Sequence, residues 1–186
     1  MEISTRRLLL RDVAPEDEAA LLALEAEPAL HRYRDSSPPS EEEIRAFFRQ
    51  TLDVQILDPR PAYILAIVFP ADGRLIGMVT LTITNRELGQ AELGYRLGPA
   101  YWGQGYAAEA AQGLVGFGFA TLGLHRICAM CHPDNAGSRR VMEKIGMQYE
   151  GHLREDWRYR NGAWRDSLLY AILEQDWLAL QQVGAS

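Results

Sequence analysis

The chain has 186 residues, 47% hydrophobic and 24% charged, with a formal net charge of -6. That length supports one core and is short for two, and the composition is ordinary for a soluble globular protein. The acidic balance argues against a nucleic-acid binder held by phosphate contacts and suits cationic amines better. No apolar run approaches the roughly 18 residues of a membrane span, and MEISTRRLLLRDV lacks a secretory pattern. The sequence therefore reads as one cytoplasmic domain over residues 1–186, with no nucleic-acid and no membrane partner.

The residues from Arg6 to Arg11 predict a first strand. Pro15 then suits the first turn of a helix to Glu25, with Glu16, Asp17 and Glu18 favourable to its dipole and Ala19, Leu22 and Ala26 as its apolar face. Pro28 ends it, and a polar, proline-rich loop follows. Ser40 with Glu43 makes a capping box that opens a second helix, whose apolar face is Ile44, Phe47 and Phe48. The pair of helices suggests a wall of a substrate pocket.

Strands are expected over Ala62 to Phe69, Arg74 to Thr84 and Ala91 to Leu97, joined by short connections into an antiparallel meander. Gly77 hints at a bulge or a close backbone approach. A helix from about Ala107 to Leu122 leads to a strand from Arg126 to His132. Such a strand–helix–strand unit favours a right-handed parallel crossover. The glycines in that helix, Gly113, Gly116 and Gly118, imply close packing on the sheet. Ser138 to Ile145 forms a helix closed by Gly146. Two further strands, Glu150 to Arg160 and Trp164 to Leu173, join across Asn161-Gly162. A short helix around Asp176 to Leu180 ends the pattern.

Two features of this pattern bear on chemistry. The stretch AELGYRLGPAYWGQGYAAEAA places a strand, a glycine loop and a helix N-terminus in succession. Glycines let a ligand approach the backbone, and the first-turn N–H groups with the helix dipole favour phosphate. The second feature, Cys128-Ala129-Met130-Cys131-His132, has the letters of a haem-attachment site. On a strand, however, residues three apart face opposite ways, and no second pair completes a metal site. Two buried structural cysteines and no metal are expected.

The order β-α-α-β-β-β-α-β-α-β-β, with YWGQGYAAEA, N-x-x-S-x-R-V-M-E-K-I-G-M and the ending R-N-G-x-W-R-D-S, resembles the GNAT acetyltransferase superfamily and, within it, the RimJ/RimL branch. The resemblance runs from Thr5 to Trp177 and is weakest between Leu30 and Pro61. It implies an α+β (mixed α/β) GNAT fold, with a central, mostly antiparallel sheet splayed at a cofactor cleft and flanked by helices. It also implies transfer of acetyl from acetyl-CoA to a primary amine by direct attack, without a covalent enzyme intermediate, and allows a homodimer. The acceptor is a protein N-terminal amine or, alternatively, a small amine such as a polyamine or aminoglycoside. A non-catalytic acyl-CoA-binding module on the same fold is a further alternative.

Carried over residue by residue, the pyrophosphate loop is Trp102, Gly103, Gln104, Gly105, Tyr106, Ala107 and Ala108; Trp102 stands where the superfamily usually has Gln or Arg. Tyr95, Arg96 and Leu97 match the segment whose backbone pairs with pantetheine. Asn135 matches a cofactor-contacting asparagine, and is equally a plain N-cap. Glu92 is the candidate general base, although alternation puts it on the face opposite Tyr95 and Leu97 unless a bulge intervenes. Many superfamily members carry a tyrosine acid seven residues after the asparagine; this chain has Met142 there, and Ser138 is the substitute. His31, Tyr33, Asp35 and His132 are candidates to line the acceptor site, and Trp157, Trp164 and Trp177 to pack the core or hairpin.

Overall fold

In the computed structural model, which describes residues 1–33 and 39–184, the chain begins with β1 (Glu2–Ser4), β2 (Leu9–Asp12), α1 (Glu18–Glu25) and α2 (Glu41–Val54). A meander of β3 (Ala62–Val68), β4 (Leu75–Asn85) and β5 (Gln90–Leu97) leads into α3 (Tyr106–Ala120). Then come β6 (Arg126–Cys131), α4 (Ala136–Lys144), β7 (Gln148–Arg158), β8 (Trp164–Leu173) and α5 (Glu174–Gly184). The strands form a mixed sheet in the order β1-β2-β3-β4-β5-β6-β8-β7. Every neighbouring pair is antiparallel except β5 with β6, the parallel crossover expected around α3.

Two expectations need correction at the N-terminal end. The segment Arg6 to Arg11 is not one strand: β1 and β2 pair with each other across a turn at Thr5–Leu8. Thr5 closes that turn, its N–H donating to the Leu8 carbonyl at 2.9 Å and its Oγ1 accepting from the Leu8 N–H at 3.1 Å. A threonine that satisfies the backbone locally outweighs the strand preference of the leucines after it. In α1 the buried side is Leu21, Leu24 and Glu25, while Ala19 and Ala26 are exposed. Alanine has too little apolar area to set a helix's rotation against two leucines.

The sheet separates two apolar clusters. On one face α3 buries Ala110, Ala111, Leu114 and Val115 against Leu81, Leu93 and Ile127. Its glycines allow the close approach: a Cβ on Gly118 would stand 2.9 Å from Ile127 Cδ1. On the other face α1 and α2 supply Leu21, Leu24 and Phe48 to a smaller cluster with Ala66, Val68 and Met78 of β3 and β4. Gly77 meets both expectations for it. The β3–β4 register shifts beside it, between Ile67 and Val68, and a Cβ there would lie 2.2 Å from the Arg96 carbonyl. No described helix is long and apolar enough to cross a membrane.

Candidate active site

The site begins where the sheet splits. β5 and β6 pair only at Gln90–Arg126, Ala91–Ile127 and Glu92–Cys128. Past Glu92, β5 continues with β4 as far as Leu97, while β6 continues with β8 as far as Cys131. Among the described residues the edge of β5 facing β6 therefore has no strand partner from Leu93 to Leu97. An unpaired strand edge is a row of free backbone donors and acceptors. At its end the Leu97 carbonyl accepts the Trp102 indole N–H at 2.7 Å, which fixes the loop against the strand.

The glycine loop follows at once. Gly103 and Gly105 have φ of +73° and +82°, a region that side-chain-bearing residues rarely adopt, and a Cβ on Gly103 would meet no atom of the described residues within 4 Å. Gly105 caps α3 without a side chain, and the first bond into the helix runs from the Glu109 N–H to the Gly105 carbonyl at 3.0 Å. The N–H groups of Tyr106, Ala107 and Ala108 precede that bond and point out of the helix end. Trp102 is half exposed at 50%, and the Gln104 side chain donates to the Ala100 carbonyl at 2.9 Å.

Two cations that sequence reasoning did not single out flank this helix end. The Arg7 Nη2 and Lys144 Nζ atoms lie 3.5 and 3.6 Å from where a Gly105 Cβ would stand. Arg7 is held there from several sides. Its Nε pairs with Glu109 Oε2 at 2.7 Å, its Nη1 donates to the Gln104 carbonyl at 3.2 Å, and its guanidinium lies 4.4 Å from the Tyr106 ring. Burial pushes the Glu109 carboxyl up, but bonds from Thr5 and Arg7 outweigh it and hold it below the usual range. Arg7, Gly105 and Lys144 come from far-apart stretches of chain, so no local pattern joins them.

Across the split, Asn135 caps α4, its Oδ1 accepting the Ser138 N–H at 3.0 Å. The Tyr95 phenol reaches over from β5 and donates to the Ser138 carbonyl at 3.0 Å, with the Ser138 Oγ 2.8 Å away. Burial pushes the Tyr95 hydroxyl well above its ordinary pKa, so it keeps its proton across the physiological range. Met142, in the position of the usual tyrosine acid, is fully buried.

Glu92, Gly94 and Arg96 share the other face of β5. Burial raises the Glu92 pKa, and among the described residues no partner opposes it. The Arg96 side chain runs under α1 and α2. It pairs with the buried Glu25, approaches Met78 Sδ at 3.1 Å and lies 4.9 Å from the Phe47 ring. His31 is buried with its Nε2 2.7 Å from the Glu25 carbonyl, so it braces α1 rather than facing the split. Tyr33 stacks on His132 with ring centroids 5.5 Å apart, at the end of β6. Asp35 lies outside the described residues. Cys128 and Cys131 are unpaired and face opposite ways, Cys128 beside Glu92 and Cys131 in the core. Trp177 packs on Phe119, whereas Trp157 and Trp164 stand half exposed on the β7–β8 hairpin.

Comparisons with known proteins agree with this geometry. The model of the acetyltransferase (GNAT) domain family matches residues 7–148. The N-acetyltransferase YnaD of Bacillus subtilis is 33% identical over 179 residues, 95% of this chain and 99% of its own. The [ribosomal protein uS5]-alanine N-acetyltransferase of Escherichia coli is 27% identical over 62% of this chain and 60% of its own. A GNAT acetyltransferase structure from Bacillus anthracis superposes with a TM-score of 0.82 at 32% identity, covering 94% of this chain and 99% of that one. A split sheet, a glycine loop on a helix N-terminus and a family match across most of the chain lead to one conclusion: this protein belongs to the GNAT family and is an acetyltransferase.

Proposed function

We propose that the protein transfers acetyl from acetyl-CoA to the N-terminal amine of a protein chain, by direct attack. The observation that carries this reading is the juxtaposition at the split: a free β5 edge, a glycine-loop anion site at one end and Glu92 at the fork. Acetyl-CoA fits these residues. The N–H groups of Tyr106, Ala107 and Ala108, with Arg7 and Lys144 beside them, suit its phosphates. The edge from Leu93 to Leu97 suits its amide-bearing pantetheine arm, bound as an added strand. Bound there, acetyl-CoA supplies the activated thioester.

The chain's own residues divide the remaining work. Glu92, with its pKa raised by burial, accepts the proton of the amine, directly or through a water. Ser138 and Tyr95 form a hydroxyl pair in which both protons are retained at neutral pH, so the Ser138 Oγ can donate to a leaving group. Unpaired N–H groups on β5 can polarise an acyl oxygen. A protein N-terminus suits the face bearing Glu92, where Met130 of β6 is 39% exposed. The name of the Escherichia coli relative, an enzyme acting on a ribosomal-protein alanine, supports the same acceptor class.

The test is CoA release from acetyl-CoA in the presence of peptides with free N-termini, or of small amines. Turnover with peptides is the expected result. Turnover confined to polyamines or aminoglycosides would move the acceptor to small cations, and acetyl-CoA binding with no turnover would favour a binding module.

A further inference from the structure

Arg165 stands apart from the other shielded arginines. Arg11 pairs with Asp17, Arg60 with Asp12, Arg96 with Glu25 and Arg126 with Glu150. The Nε and Nη1 atoms of Arg165 are buried and have no hydrogen-bond partner among the described residues. Its guanidinium lies 5.4 Å from the Trp157 ring and 5.8 Å from the Tyr159 ring. Ring faces attract the charge but accept none of the in-plane N–H groups, so the guanidinium is held in position with its Nε and Nη1 donors unused. Leaving charged donors buried and unsatisfied is costly, which favours a ligand that completes them. The neighbouring acid cannot do so: Asp166 points to the opposite face, 2.6 Å from His152 Nε2 and accepting the Glu155 N–H at 2.9 Å.

Strand pairing puts this guanidinium on the face of the candidate base. Glu92 lies opposite Cys128, and Cys128 opposite Ala171. The β6–β8 register is unbroken from Leu173 to Leu168; beyond it Arg165 pairs with Trp157 of β7, past a register shift on the β7 side, and alternation along β8 carries the same face from Ala171 through Leu169 and Ser167 to Arg165. The six steps along β8 from Ala171 to Arg165 span about 20 Å of strand. A free amino acid is too short to hold its amine near Glu92 and its carboxylate near Arg165; an extended peptide of about four or five residues is long enough.

We infer that the acceptor is a chain with an acidic side chain at about its fourth or fifth residue, and that the Arg165 guanidinium, held by Trp157 and Tyr159, binds that carboxylate. This rests on the acetyl-transfer reading for the location of the amine, so the test reads binding separately from turnover. Matched peptides with a free N-terminus and either Asp or Asn at the second, fourth or fifth position are titrated calorimetrically into the protein, with free aspartate as the short control. The same titrations are made with Arg165→Gln and Arg165→Lys, each checked for an unchanged melting temperature.

The fourth- or fifth-position Asp peptide should bind about tenfold or more tightly than its Asn partner. That preference should vanish in R165Q and survive only in part in R165K. Equal binding of Asp and Asn peptides, a preference untouched by R165Q, or a preference for free aspartate over peptides would each overturn the inference. An Asp preference lost in R165Q, but with no CoA released from any bound peptide, would instead overturn the acetyl-transfer reading and leave the anion site standing.

Discussion

The two sides of the split are made differently. The side proposed for acetyl-CoA consists mainly of backbone: the β5 edge, the Gly103 and Gly105 turn and the first N–H groups of α3, all within one stretch from Leu93 to Ala108. The side proposed for the acceptor consists of side chains gathered from distant segments: Glu92 on β5, Tyr33 after α1, His132 after β6 and Arg165 on β8. A backbone site needs glycine and a helix start, and tolerates change in most side chains around it. A side-chain site can be altered one residue at a time, so acceptor choice can diverge while the cofactor half is retained.

That contrast can be broken most sharply at Glu92. In Glu92→Gln the turnover rate should fall by about 10²–10⁴-fold while acetyl-CoA affinity stays unchanged. In the native protein the rate should fall as pH drops through a pKa above that of an ordinary carboxylate, because burial raises it; the variant should lack that limb. An identical pH profile in both would remove Glu92 from the reaction. The same shift has a stability consequence. A carboxyl whose folded pKa is raised is penalised in its charged form, so Glu92→Gln should melt no lower than the native protein at pH 8. Any advantage should shrink as pH falls towards the unfolded carboxyl's pKa.

Gly105→Glu tests the backbone half. A side chain at φ +82° and a negative charge at the helix end should lower acetyl-CoA affinity by about 100-fold or more. Retained affinity in a calorimetric titration would sink the loop assignment. Ser138→Ala and Tyr95→Phe each remove one hydroxyl of the pair across the split, and each should slow turnover by about tenfold without moving cofactor affinity. The two losses should not add in the double variant, since one hydroxyl acts through the other. Arg7→Ala should have the smallest effect, weakening acetyl-CoA binding about three- to tenfold and more so at low ionic strength. It also asks whether the backbone half depends on side chains at all.

What could be read from the sequence was whatever short-range chemistry decides. The capping box at Ser40 and Glu43, the β8 strand from Trp164 to Leu173, the Asn161-Gly162 hairpin and the glycine loop opening α3 all depend on neighbours a few residues away, and each stands where the pattern put it. The parallel crossover followed from strand length and handedness. Short-range reasoning failed where two local preferences competed, as at Thr5 against the leucines of β2 and at the alanine against the leucine face of α1. Only the tertiary structure decided that β5 and β6 part company after Glu92, that Tyr95 crosses the gap to Ser138, that Arg7 and Lys144 meet at Gly105 and that Arg165 shares a face with Glu92. Those relations join residues far apart in the chain, and they exist only once the packing of a whole sheet has set which strands stay together and which separate.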